Sequence, residues 1–138
     1  MTTTNEEAWT KWMEVLRDPL SEKTKHRLES YDIPNRRCCL GHACHALIPD
    51  ERRAFALMRS TGRVLYNNEH TRLPTKVAEM LDVNTICEFK EPLLIDNGPL
   101  WSGADLNDCT DLAPKEIADI LWRERKKGNI QPFKRRPR

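Results

Sequence analysis

The sequence predicts a small single domain of the α+β class, in which helices dominate and a few short antiparallel strands accompany them. The length of 138 residues fits one domain, and several segments have apolar residues at helical spacing with short β-type runs between them. With 38% hydrophobic and 32% charged residues, the chain can form one core beneath a heavily charged surface. We expect the globular domain to span residues 1–127 and a flexible basic tail to span residues 128–138.

The first helix is predicted over residues 5–17. Thr4 and Glu7 have the spacing of a capping box, which satisfies free backbone N–H groups at a helix start. Asp18-Pro19 ends the helix, because a residue that precedes proline disfavours the helical conformation. Apolar side chains recur at helical spacing and form one stripe: Ala8, Trp9, Trp12, Met13 and Leu16. The two tryptophans of this stripe are interpreted as core residues rather than as a binding surface.

A polar and basic segment follows, and it ends in the cysteine-rich part of the chain. Pro34-Asn35 indicates a turn, so that residues 25–31 and 36–39 could pair as a short hairpin. Residues 40–47 are small or apolar and predict a short buried helix.

The central part of the chain predicts a helix and then a strand. Pro49 closes the buried helix, and residues 51–58 are interpreted as a weaker helical stretch. Residues 62–66 predict a strand, because their valine, leucine and tyrosine side chains suit a pleated surface.

The C-terminal half predicts two further helices. One begins at Leu73-Pro74, since proline is favoured in the first turn of a helix. The last helix begins at residues 111–114 and ends at Gly128, a residue type that commonly follows a helix. The intervening segment contains short strands or ordered loop, with three apolar runs at 86–89, 93–95 and 100–101.

Charge is distributed unevenly along the chain. Residues 123–138 carry eight basic residues and one acidic residue, whereas the rest carries 15 basic and 20 acidic residues. A basic tail of this kind can contact nucleic acid or an acidic partner, and Lys134, Arg135 and Arg136 are the candidate contact residues. A solvated end without a partner is the simpler interpretation.

Cysteine usage and the N-terminal sequence predict a cytoplasmic protein with reduced thiols. The cysteine count is five, an odd number, and the first residues have neither a basic start nor an apolar stretch behind it. No apolar run is long enough to cross a bilayer, and no membrane partner is expected.

The densest chemical feature is the segment from residue 38 to residue 45. Cys38, Cys39 and His42 have the helical spacing that would let pairs of them reach one zinc ion. A second pair at finger-like spacing is missing, and free cysteines commonly pack as small buried hydrophobes. We therefore expect a packed core, no cofactor, and no catalysis by Cys39.

A second polar cluster lies at residues 105–108. Asn107 and Asp108 are candidates for binding a cation or a polar ligand. The same residue types make Asx turns that lead into a helix, and this interpretation is favoured. The sequence has no phosphate-binding glycine loop and no dinucleotide-binding pattern.

The segment Arg37-Cys38-Cys39-Leu40-Gly41-His42-Ala43-Cys44 resembles the YCCLGxxC signature of small uncharacterised proteins from tailed phages and some bacteria. The resemblance extends in short islands over residues 8–122, and its other islands are Trp9, Leu73-Pro74, Leu106-Asn107-Asp108 and residues 116–119. It implies a phage origin and a host-cell location but no activity. Members of the family commonly have apolar or acidic residues in place of His42 and His45, which disfavours a shared metal site.

These observations favour a phage accessory protein that acts by binding rather than by catalysis. Its partner would be a host protein, such as a defence or regulatory factor, or a small anionic or nucleotide signal that it sequesters. In the second case we expect arginines to meet phosphates and Trp101 to stack on a base. The candidate binding residues are Arg36, Arg37, Arg72, Trp101, Asn107 and Asp108.

Two alternatives remain open at this stage. One is a small metal- or thiol-dependent enzyme that uses Cys39, His42 and Asp108. The other is a nonspecific nucleic-acid-binding protein that uses the basic tail.

Overall fold

Helices supply most of the regular secondary structure and pack around one core. The computed structural model describes residues 4–58, 61–95 and 98–134. The helices are α1 (Asn5–Arg17), α2 (Cys39–Leu47), α3 (Thr75–Leu81), α4 (Gly103–Asp108) and α5 (Pro114–Lys127), with a 3-10 turn at Pro49–Glu51. The strands are β1 (Glu22–Lys23), β2 (Arg36–Arg37), β3 (Arg52–Met58), β4 (Thr61–Tyr66), β5 (Glu88–Leu93) and β6 (Leu100–Ser102). The predicted α+β class is confirmed.

Helix α1 forms the centre of the core and has the predicted bounds. Thr4 caps it, with its hydroxyl accepting a hydrogen bond from the Glu7 N–H at 3.1 Å. Trp9 and Trp12 are fully buried, with ring centroids 4.9 Å apart. The Trp9 indole N–H donates to the carbonyl of Leu81, and the Trp12 indole N–H donates to a carbonyl of α2, each at 2.8 Å. The apolar stripe of α1 thus connects α2 and α3.

The strands form three separate pairs among the described residues. β3 pairs with β4 and β5 pairs with β6, both antiparallel, as the sequence predicts for strands of this class. β1 pairs with β2 in parallel, which the sequence does not predict. The expected hairpin between residues 25–31 and 36–39 is reduced to one antiparallel bridge between Glu29 and Arg37.

Residues 52–58 form a strand, and the prediction of a helical stretch over residues 51–58 was wrong. β3 is in register with β4, so that Arg52 lies opposite Tyr66. The β-type residues of β4 need a neighbouring strand for their backbone hydrogen bonds, and β3 provides it. This tertiary pairing outweighs the weak helix preference of the β3 sequence.

Residues 103–108 form helix α4, where the sequence predicted turns leading into a later helix. Ser102 caps this short helix, and its hydroxyl accepts a hydrogen bond from the Asp105 N–H at 3.1 Å. Six residues carry too few apolar side chains to show a helical period. The polar cluster at 105–108 therefore lies on a helix.

Ordered packing continues beyond residue 127, where the sequence predicted the start of a flexible tail. Gly128 ends α5 as predicted, with a φ of 73° that favours glycine. Ile130 then forms an antiparallel bridge with Phe89 of β5. Residues 135–138 lie outside the described residues. Within the described residues, no helix is long and apolar enough to cross a membrane.

Candidate functional site

The cysteine segment is a packing centre of the fold. Cys38 caps α2, and its Sγ accepts a hydrogen bond from the Gly41 N–H at 3.3 Å. The Cys39 thiol donates to the carbonyl of Gly103 at 3.2 Å. Gly41 lies directly against Leu28, since a Cβ at this position would be 1.7 Å from the Leu28 carbonyl oxygen. Small residues are needed here because backbone segments approach each other closely.

The buried thiols are not suited to nucleophilic chemistry. Burial raises the pKa of Cys38 to about 12 and raises the pKa of Cys39 well above its usual value. Both thiols are therefore protonated at neutral pH, whereas a nucleophilic cysteine needs the thiolate. Across the part of the chain that the structure describes, no three His, Cys, Asp or Glu residues are placed to hold a metal ion.

His42, the third candidate zinc ligand, is fully buried on α2. Its Nε2 lies 2.9 Å from the carbonyl oxygen of Glu22, and a carbonyl only accepts, so Nε2 carries the proton. Its Nδ1 has no hydrogen-bond partner among the described residues. Burial lowers the pKa of His42 to about 4, which keeps the imidazole neutral at physiological pH.

Arg37 is engaged in a buried network around Glu29, whose exposed fraction is 5%. Arg37 and Arg52 each donate from Nε to a Glu29 carboxylate oxygen at 2.7 Å, and the Tyr66 hydroxyl donates at 2.6 Å. Burial by itself would raise the pKa of Glu29, but these hydrogen bonds outweigh it and lower the pKa. The guanidinium of Arg37 thus serves the fold, and the Glu29 charge is neutralised.

Asn107 joins three parts of the fold. Its side-chain oxygen accepts a hydrogen bond from the Cys39 N–H at 2.9 Å, in the first turn of α2. Its side-chain amide donates to the carbonyl of Thr24 at 2.8 Å and to the carboxylate of Asp108 at 2.9 Å. Asn107 is fully buried, so its polar groups are satisfied by the protein.

Asp108 in turn holds His26. One carboxylate oxygen accepts from the His26 backbone N–H at 3.0 Å, and the other lies 3.4 Å from the ring Nδ1. His26 has a φ of 64°, a left-handed conformation that is uncommon for residues other than glycine. Its side chain is 78% exposed. Backbone conformations of this kind occur often at functional sites, and here the Asp108 carboxylate holds the backbone in place.

His26 lies at the rim of a cavity of about 320 Å³, which we call the basic pocket. Its polar lining residues are His26, Arg27, Glu29, Arg63, His70 and Thr71, and Leu57 and Val64 add apolar surface. The Leu28 N–H donates to the carbonyl of His70, and this bond joins the two loops that form the pocket.

The basic pocket has an excess of positive charge. Arg27 and Arg63 are exposed and have no ion-pair partner among the described residues. Glu29 is the one carboxylate among the described lining residues, and two other arginines already neutralise it. The pocket therefore offers two free guanidinium groups and two imidazoles to an anion.

A larger cavity of about 580 Å³ lies between β5 and the end of α5. Two of its cations, Arg123 and Lys127, lie 2.9 Å and 3.6 Å from the buried carboxylate of Glu124. Because this carboxylate offsets part of their charge, the basic pocket is the stronger candidate for binding an anion.

The remaining candidate residues do not line the basic pocket. Arg36 lies 3.9 Å from Glu22, and Arg72 lies 3.7 Å from Glu69. Trp101 is 50% exposed on β6. Lys134 is exposed, whereas Arg135 and Arg136 lie outside the described residues.

Sequence reasoning missed the residues that form the basic pocket. His26 and Arg27 belong to a segment recognised only as polar and basic, and Arg63 and His70 carry no motif. These residues become neighbours because β4 and the loop before α3 pack against residues 26–29. Only this long-range packing could have identified them.

The fold and the pocket thus define a small α+β domain with a basic cavity on its surface. No protein-family model, curated protein or solved structure matches the chain. The resemblance to phage proteins stays a prediction. The basic pocket is the feature from which a function can be proposed.

Proposed function

We propose that this chain is a binding protein that takes up a small phosphate-bearing anion, such as a nucleotide, in the basic pocket. One observation carries the proposal: among the described residues, Arg27 and Arg63 have no ion-pair partner and lie beside a cavity whose single described carboxylate is already neutralised. Guanidinium groups bind phosphate oxygens through charge-assisted, often bidentate hydrogen bonds.

The size and lining of the basic pocket support a small ligand. Its volume of about 320 Å³ is near the lower end of the range of ligand pockets, which is about 300–1,000 Å³. Leu57, which is 60% exposed, provides apolar surface beside the cations. This combination suits a phosphate group attached to a less polar sugar or base.

The proposal retains the predicted class of function and changes the residues that carry it. Arg27 and Arg63 take the role assigned from the sequence to Arg36, Arg37 and Arg72. The interpretation as a phage accessory protein that sequesters a nucleotide signal in the host cytoplasm remains a proposal of the same kind.

A host protein is the second candidate partner, supported by the apolar surface of β3. Phe55 and Leu57 are both exposed large hydrophobic residues on this strand. Exposed apolar side chains close together commonly mark protein interaction surfaces. Pull-down from host lysate with the wild type and with a Phe55→Ser/Leu57→Ser variant tests this candidate; equal recovery of every captured protein would reject it.

Calorimetric titration with AMP, GMP and inorganic phosphate tests the anion proposal. We expect binding by the wild type, and affinity lower by about a factor of ten or more in Arg27→Gln/Arg63→Gln, because charge-assisted hydrogen bonds are lost. The matched control is Lys11→Gln/Lys115→Gln, which removes the same charge from α1 and α5. No binding of any probe by the wild type, or equal weakening in the control, would overturn the proposal.

A further inference from the structure

We infer that the basic pocket also cleaves RNA by transesterification, with His26 and His70 as its acid–base pair. The inference rests on the proposed anion binding, because the scissile phosphodiester has to occupy the same pocket. It adds a reaction to the binding role and assigns a function to the two histidines.

The contacts of His26 with Asp108 suit a side chain that accepts a proton. The Asp108 carboxylate lies 3.4 Å from Nδ1 and also accepts from the His26 backbone N–H at 3.0 Å. Nε2 has no partner among the described residues and is left free for a substrate. A carboxylate on one ring nitrogen orients an imidazole and stabilises the imidazolium that forms when the other nitrogen takes a proton.

The position of Asp108 is itself fixed from inside the protein. Buried Asn107 donates to the Asp108 carboxylate and accepts from the Cys39 N–H. A chain of three hydrogen bonds therefore connects the first turn of α2 to the backbone of His26, whose ring Nδ1 lies 3.4 Å from the same carboxylate. The cysteine segment and the Leu106-Asn107-Asp108 island meet beneath the same pocket.

His70 supplies the second imidazole from the opposite loop. Its backbone is fixed by the hydrogen bond from Leu28, two residues after His26. Its ring has no hydrogen-bond partner among the described residues, and Thr71 adds a hydroxyl beside it. Two free imidazoles thus line one cavity together with Arg27 and Arg63.

This set of groups matches the requirements of RNA transesterification. His26 accepts the proton of the ribose 2′-hydroxyl, and the 2′-oxygen forms a bond to phosphorus. The bond from phosphorus to the 5′-oxygen breaks, and His70 donates a proton to that oxygen. The products are a 2′,3′-cyclic phosphate and a free 5′-hydroxyl. Arg27 and Arg63 stabilise the negative charge that develops on the phosphoryl oxygens.

The test uses a fluorescent DNA oligonucleotide that contains one ribonucleotide, with an all-DNA oligonucleotide as its matched control. We expect cleavage in the presence of EDTA at the ribonucleotide alone, with a 2′,3′-cyclic phosphate detected by mass spectrometry. His26→Asn and His70→Asn should each lower the rate about 100-fold or more. Asparagine is chosen at position 26 because it tolerates the left-handed backbone.

Two further variants separate catalysis from structure and from contamination. Asp108→Asn should lower kcat with KM unchanged, as expected for a positioning residue that acts through His26. His45→Asn, on α2 and outside the pocket lining, should cleave at the wild-type rate after the same purification. Equal cleavage by His26→Asn, His70→Asn and the wild type would identify a contaminating nuclease and overturn the inference.

AMP titration of the same preparations distinguishes the two proposals. Normal AMP binding without cleavage would overturn the transesterification and leave the binding function. A wild type that neither binds AMP nor cleaves RNA would overturn both proposals. A wild type that binds AMP and cleaves RNA, with both the affinity and the rate lowered in Arg27→Gln/Arg63→Gln, would support both proposals.

Discussion

Acidification should destabilise this protein through His42. The imidazole is fully buried, and burial lowers its pKa from the usual 6.5 to about 4. Below pH 6.5 the unfolded chain binds a proton at His42 that the folded protein excludes until the pH reaches about 4. The free energy of unfolding must therefore fall as the pH falls through this window.

The size of the effect follows from the two pKa values. The unfolded state gains a proton over a window of about 2.5 pH units, so the complete loss is about 3 kcal/mol. Most of this loss occurs in the upper part of the pH window. Between pH 7.5 and pH 5, the contribution of His42 to the free energy of unfolding falls by about 2 kcal/mol. This is a large share of the stability of a small domain.

Urea unfolding at pH 7.5 and pH 5.0 measures the effect, with His42→Gln as the non-titrating variant. Glutamine can still donate to the carbonyl of Glu22 but takes up no proton. His45, whose pKa burial also lowers, titrates in both proteins and cancels in the comparison. We expect the wild type to lose about 2 kcal/mol more than the variant. Equal losses would refute the assignment of a neutral, buried His42.

Three further predictions concern the cysteine segment and the tail. Gly41→Ala should destabilise the protein by at least about 3 kcal/mol, because the new Cβ would overlap the Leu28 carbonyl; a melting temperature within about 2 °C of the wild type would contradict the packing described. Cys39→Ser should cost about 1–3 kcal/mol in urea unfolding and leave AMP affinity unchanged, because Cys39 lies outside the basic pocket. A lost affinity at unchanged stability would instead place Cys39 in a site. For the tail, changing Lys134, Arg135 and Arg136 to Gln should remove about three phosphate contacts with duplex DNA. The plot of log affinity against log salt concentration should therefore become less steep by about three. An unchanged slope would reject the tail as the DNA-binding element.

The design of the tail experiment depends on the packing of the residues that follow Gly128. Residues 128–138 carry four of the eight basic residues in the stretch 123–138, so a deletion from residue 128 is the obvious truncation. Ile130 forms a bridge with Phe89, and the Gln131 N–H donates to the carbonyl of Glu88. Such a deletion would remove part of the fold together with the charge, whereas substitution leaves this packing intact.

Local signals predicted the helix ends well. Thr4 caps α1 and Gly128 ends α5, because each residue acts on its own neighbours through backbone conformation or one hydrogen bond. β3 was mistaken for a helix because its conformation depends on pairing with β4, which local preference does not contain. α4 was missed because its cap, Ser102, precedes only six helical residues.

The candidate site was less predictable than the fold. The sequence predicts Asp108 as a ligand-binding residue, but it does not predict that the Asp108 carboxylate contacts His26. The arginines of the basic pocket had no motif, and nothing in the sequence distinguished unpaired Arg63 from Arg37, which Glu29 neutralises. Ion pairing decides which cations remain available, and it is settled only by tertiary packing.

The backbone of the cysteine segment also supports the candidate site, in addition to the packing of its thiols. The Cys39 N–H fixes Asn107, and Asn107 fixes the carboxylate that holds His26. A serine at position 39 keeps this N–H in place, whereas an alanine at Gly41 pushes the first turn of α2 away from Leu28. If the segment supports His26 in this way, Gly41→Ala should lower the RNA cleavage rate even in the fraction of protein that remains folded.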